Sequence, residues 1–339
     1  MSAAAASDFN DMNTIRGPAA VREVFEKATK PRVVVCDALD LMVMPWPERE
    51  TLLSPFLQSQ SLTMIHAWRG VGKTHMSLGL AYALASGGEF LGWRATRQVP
   101  VLYIDGEMPG AALKERVARI AASCDLEAGP GMLKFITPDL QPEGVMPNLA
   151  EHEGQAAINS VIGDAQVIIV DNLSCLVRGV KENEGDGWAP IAEWGLRMRA
   201  AGRSVIFVHH SGKGGGQRGT SKREDLLDVV IALRRPSDYQ PDEGARFEVH
   251  FEKARSLYGQ EVSPIEATLN TTPDGHQTWN VRTVEAIADA QMIELAELGM
   301  PHADIARELG VHRSTVMRSL RKAEQEGRHI AKVKKVGAK

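Results

Sequence analysis

Between Leu62 and Gly88 the chain passes from a short apolar run, LTMIHA, through a glycine-punctuated loop, WRGVGKT, into the alanine- and leucine-rich stretch HMSLGLAYALASGG. Ala67 to Thr74 fit the A/GxxxxGK[ST] pattern for holding phosphate. That pattern works only when a strand feeds the loop and a helix leaves it. Glycines at 70 and 72 let the backbone turn its N–H groups inward, and the helix start adds its positive end. Ala67, Arg69, Gly70, Val71, Gly72 and His75 are thus expected to line a nucleotide. Lys73 is expected to reach the β- and γ-phosphates, and the Thr74 hydroxyl to ligate Mg²⁺, making ATP and Mg²⁺ the expected cofactors.

The flanking sequence repeats the same order. PVLYIDGE, LKFIT, QVIIVDN and SVIFVHH are continuous apolar strands, and helical stretches such as AALKERVARIAASCD and PIAEWGLRMRAAG separate them. This alternation predicts an α/β fold with a mostly parallel sheet buried on both faces. Residues 1–45 read as a leader with one short helix, VREVFEKA, and Pro45–Gln60 as an irregular lead-in. The nucleotide domain is expected over 46–280. Within it, DVVIALRRP, RFEVHFEKAR and EVSPIEATL alternate as antiparallel or edge strands would. From Val284 only helical periodicity remains, giving a small all-α domain over 284–326 and a basic tail over 327–339.

Composition narrows the setting. Cys36, Cys124 and Cys175 are too few and too scattered for a disulfide or zinc framework. With no signal sequence or long apolar span, a cytoplasmic protein off the membrane is expected. The net charge of −4 conceals a balance of +7 from Arg307 to Lys339, leaving −11 for the rest. Nucleic acid contact is therefore expected to be local.

Two acidic positions complete the chemistry expected of the loop. Asp171 ends the strand VIIVD, where a carboxylate can hold Mg²⁺ through water. Glu107, at the end of LYIDGE, can orient and deprotonate an attacking water; Asp105 on the same side of that strand is its competitor.

Taken together, GVGKTHMSLGLAYALASGG, VLYIDGEM, VIIVDN and VIFVHHSGKGGGQRGTS resemble the RecA-like ATPases that include the RepA-type hexameric replicative helicases of plasmids and other mobile elements. The resemblance spans about residues 40–275. It implies a homo-hexamer with ATP sites between subunits, driven along single-stranded DNA in replication. It places His209 and His210 jointly where such motors sense the γ-phosphate. Lys253 and Arg255, in FEKAR, match cations offered to a neighbour's γ-phosphate, with Arg218 and Arg223 as rivals. Lys213, Arg218 and Lys222 fall in the second DNA-binding loop, and Arg178 and Lys181 in the first.

The C-terminal stretch AQMIELAELGMPHADIARELGVHRSTVMRSLRKAEQEG reads as a helix-turn-helix. Its last helix would present Arg313, Ser314, Thr315, Arg318 and Lys322 to duplex DNA. The chain is therefore expected to be an ATPase and DNA helicase. An ATP-controlled DNA-binding regulator or replication-initiation adaptor, which unwinds nothing, is the alternative; a recombinase-like filament protein is a third reading.

Overall fold

A computed structural model describes Thr14, Gly17, Pro18, Val21 and residues 33–179, 187–211 and 225–325. All but Val21 of the expected helix VREVFEKA, the loop cations Lys181, Lys213, Arg218, Lys222 and Arg223, and the tail 327–339 lie outside the described residues. The chain divides into two units, Met1–Glu48 and Arg49–Lys339. The first contains α1 (Ala38–Val43), capped by the Asp37 carboxylate accepting the Leu39 N–H. Large apolar side chains are exposed along it from Val33 to Trp46.

The second unit is built on a nine-stranded sheet. Its strands are β3 (Leu62–Ala67), β6 (Val101–Asp105), β7 (Leu133–Ile136), β8 (Val167–Asp171), β9 (Ser204–His210), β10 (Val229–Arg234), β11 (Arg246–Ala254), β12 (Ile265–Thr271) and β13 (Gln277–Thr283). They lie in the order β13-β12-β11-β10-β3-β9-β8-β6-β7. The six from β10 to β7 are parallel, and β11, β12 and β13 add antiparallel to the β10 edge.

Strand geometry divides the apolar residues between two layers, because successive side chains point to opposite faces. Ile65, Tyr103, Ile169, Ile206 and Ile231 enter one core, with α2 (Lys73–Ser86) and α3 (Gly110–Ala122). Met64, Ile104, Val170, Phe207 and Val230 enter the other, with α4 (His152–Val161), the short α5 (Leu173–Leu176) and α6 (Ala189–Ala200). α2 ends at Gly87, whose φ of 73° is the left-handed conformation glycine adopts cheaply.

Three expectations need correction. DVVIALRRP pairs antiparallel with β11 as expected, but it is no edge: on its other side β10 pairs in parallel with β3, and it is buried from Val229 to Leu233. Its weak alternation reflects burial on both faces. The lead-in before Gln60 is not all irregular. β1 (Thr51–Ser54) and β2 (Leu57–Gln58) join β5 (Trp93–Ala95) and β4 (Glu89–Phe90) in a separate four-stranded sheet. Two- to four-residue strands lack the repeat that makes a periodicity visible. Finally, β6 stops at Asp105, so Glu107 stands in the bend beyond the strand.

At the C-terminus α7 (Val284–Glu297), α8 (His302–Glu308) and α9 (Arg313–Gln325) enclose their own core of Met292, Ile293, Ala296, Ile305, Ala306, Val316, Leu320 and Ala323. Gly310 turns between α8 and α9 at φ 63°.

Candidate nucleotide and DNA sites

Parallel pairing in register brings the functional strand ends to one edge of the sheet. Asp105 stands opposite Asp171, and Ala67 opposite His210. Chain crossovers leave a crevice at such an edge. Here it is a cavity of about 990 Å³ lined by the loop 69–74, His75, Asp105, Glu107, Asp171 and His210, among others.

The loop's shape depends on Gly72. Its φ is 131°, and a Cβ there would lie 2.7 Å from a ring carbon of Phe247. Val71 packs into the core, so its contribution to the cavity is its backbone. Lys73 is 6% exposed and donates through Nζ to the carbonyls of Ala67 and Trp68, each at 3.1 Å. Burial, against the opposing pull of Asp171 and Glu107, lowers its pKa to about 8. His75 is also pushed down, to about 4, by burial and then by Arg116.

Asp171 is buried and accepts hydrogen bonds from the Tyr103 hydroxyl at 2.6 Å and the Ser77 hydroxyl at 2.9 Å. The nearby Thr74 hydroxyl adds a smaller pull that favours the charged carboxylate. Burial pushes the Asp171 carboxyl up, against those hydrogen bonds and the charge on Lys73. Tyr103 and Ser77 were not singled out by sequence. Tyr103 could have been, since it stands one residue before the register partner of Val170 and shares the face of Asp105.

The two acids after β6 separate clearly. Asp105 is 2% exposed and accepts the backbone N–H groups of Glu107 and Met108, which close the bend. Burial raises its pKa to about 6. Glu107 is open to the cavity, with its side chain 61% exposed. The Asn172 amide donates to its carboxylate, whose nearest oxygen is 3.9 Å from His210 Nε2.

The histidine pair divides across the sheet. His210 shares the face of Val208 and lines the cavity, whereas His209 shares the face of Phe207, is 7% exposed and does not line it. Burial, and then Lys73, lower the pKa of His210.

Lys253 and Arg255 do not line this cavity. Lys253 pairs with Val230, whose side chain enters the opposite core. Arg255 lies just past β11, its guanidinium donating to the Asp225 carbonyl at 2.8 Å. Arg178 is exposed, and its guanidinium donates to the Met146 carbonyl.

On α9, Val316, Ser319, Leu320 and Ala323 face the three-helix core while Arg313, Ser314 and Arg318 are exposed. Thr315 is half-buried, and the Lys322 ammonium lies 3.6 Å from Asp289 of α7. Arg321 and Met317, which the sequence reading passed over, are exposed on the same helix. Their i, i+4 spacing from Arg313 was the available signal.

A family model described as a homeodomain-like domain matches residues 290–331, which include α8 and α9. A second, described as an AAA domain, matches residues 27–216, over half of the chain. The chain therefore belongs to the AAA domain family of P-loop ATPases and carries a homeodomain-like helix-turn-helix at its C-terminal end.

Proposed function

We propose that this chain is an ATP-hydrolysing, DNA-dependent oligomeric motor, a RepA-like replicative DNA helicase of a mobile element acting as a hexamer. The observation that carries the reading is the convergence of Lys73, Thr74, Asp171, Glu107 and His210 on one cavity, with Lys253 and Arg255 outside it. A complete hydrolytic set in one subunit, with cations facing elsewhere, suits a site finished by a neighbour.

In this reading the loop N–H groups and Lys73 hold the β- and γ-phosphates, and Lys73 exchanges two carbonyl bonds for phosphate oxygens. The Thr74 hydroxyl and the Asp171 carboxylate both line the cavity, hard oxygen donors that fit Mg²⁺. That ion would neutralise charge on the phosphates. Glu107, held by Asn172, accepts a proton from water as the water oxygen bonds to the γ-phosphorus. The bond to the β–γ bridging oxygen breaks, and ADP departs with its electron pair. His210 stands close enough to Glu107 to respond to the γ-phosphate. The exposed face of α9 would hold duplex DNA, and single-stranded DNA would run along the core loops.

The regulator reading is favoured by one observation, the exposed Arg313, Arg318 and Arg321 on α9. Hydrolysis measured with and without single-stranded DNA, together with unwinding of a forked duplex, separates the two. Strong stimulation with unwinding is expected; turnover indifferent to DNA, without unwinding, would overturn the motor. Lys73→Ala should abolish turnover, and Arg255→Ala should cut it to a small residual rate with nucleotide binding retained. Mixing these two variants should restore part of the activity, because some interfaces then carry an intact Lys73 facing an intact Arg255.

A further inference from the structure

The face of the sheet opposite the phosphate cavity holds a polar chain that the reaction just described does not use. His66, next to last in β3, is 1% exposed. Its Nδ1 lies 2.8 Å from the Ser211 hydroxyl and its Nε2 2.8 Å from the Glu252 carboxylate. Glu252 also accepts from Arg234 at 2.9 Å. Burial opposes ionisation of Glu252, but His66 and Arg234 outweigh it and hold the carboxyl below its usual range.

An ionised carboxylate can only accept, so Nε2 carries the proton facing Glu252. The Ser211 hydroxyl can pair with Nδ1 as donor or acceptor. The three groups thus form a continuous chain from Ser211 through His66 to Glu252. Its placement is supported at both ends. Ser211 follows His210 directly, and its N–H donates at 2.9 Å to the Ala67 carbonyl that also receives Lys73. Glu252 precedes Lys253 and sits where the register of β11 against β10 slips: Lys253 pairs with Val230, and Phe251 with Ile231. Such a bulge re-aims side chains.

We infer that His66 is a positioning residue that fixes the Lys253–Arg255 segment relative to the phosphate-sensing end of β9. This rests on the motor reading, in which those two cations serve a neighbouring subunit's phosphate. His66 touches no substrate. It sets where the cations stand, and a displacement of about 1 Å at such a group can cost roughly a hundredfold in rate.

The test compares wild type with His66→Phe, Ser211→Ala, Arg255→Ala and the double variant His66→Phe/Arg255→Ala in full-length protein. Binding of a fluorescent ATP analogue, KM and kcat with single-stranded DNA, and thermal melting are measured for each. His66→Phe is expected to lower kcat about tenfold or more while analogue affinity and KM stay within about twofold. Ser211→Ala, which removes a single hydroxyl, should lower kcat less but in the same pattern. In the Arg255→Ala background His66→Phe should add no further loss of the residual rate. Wild-type kcat in both His66→Phe and Ser211→Ala would overturn the inference. So would losses that multiply in the double variant, or a kcat fall matched by lost analogue binding. A misfolded His66→Phe leaves Ser211→Ala to decide. If wild type itself turns over no ATP, or Arg255→Ala does so normally, the motor reading fails instead.

Discussion

At the residue scale, the charge on Lys73 is the most revealing feature of the phosphate site. A buried ammonium with its pKa lowered to about 8 has been desolvated by more than Asp171 and Glu107 compensate. The folded chain therefore binds fewer protons than the unfolded one between about 8 and the ordinary 10.5. The group weakens the empty fold as pH falls through that window, and its cost is fully present below it. Phosphate reverses the balance by favouring the charged form. Below pH 8 Lys73 is already protonated and ATP binds without proton uptake. Above it, each unit of pH should weaken ATP about tenfold, with net proton uptake on binding. Titration calorimetry in buffers of different ionisation heat measures that uptake, and Lys73→Met should remove both effects. A pH-independent affinity from 7 to 10 in the wild-type protein would contradict this account. Glu107→Gln makes the complementary case: ATP binding should persist while turnover falls about a hundredfold or more.

At the scale of elements, what was legible in the sequence depended on length and repetition. Strands β3, β6, β8 and β9 are five to seven residues each built on an apolar run, VIIV and VIFV in β8 and β9, and α2 opens behind a glycine-lysine turn. β4 and β5 total five residues, too short for any period. The face chosen by His210 over His209 depended on where β9 starts its alternation relative to β3, a matter of register. The role of β11 was equally hidden, because its anchors are contacts across distant sequence. Arg246 is 11% exposed by side chain and is bonded to Glu266, Asp238 and Glu243, first among them the buried Glu266, which raises the guanidinium above its usual range. Arg246→Ala would leave Glu266, 4% exposed, without its cation. We expect a loss of about 3 kcal/mol in urea unfolding, with part regained in Arg246→Ala/Glu266→Gln, because neutralising the stranded carboxylate removes most of its desolvation cost.

At the scale of the whole molecule, the sheet's two cores and the core of the C-terminal helices have different tasks. The sheet's apolar residues divide between layers that hold the phosphate edge rigid, while α7, α8 and α9 enclose a separate core. That separation has an energetic consequence. Residues Met292, Ile305, Val316 and Leu320 pack among themselves, so removing residues 284–339 takes the small core away intact. The truncated chain should hydrolyse ATP at close to the full-length rate, because none of the described residues from 284 to 325 lines the phosphate cavity. It should lose binding to duplex DNA, since the exposed arginines of α9 go with it, and the salt dependence of that binding should vanish too. Arg318→Ala/Arg321→Ala in the intact chain refines the comparison by sparing the helical core. Gel-shift titrations over a range of salt, run beside ATPase assays on all three proteins, provide the measurement. Duplex binding that survives the truncation would move the DNA contact onto the ATPase unit. Hydrolysis that collapses with it would mean that the helical domain supports the catalytic assembly as well as the DNA.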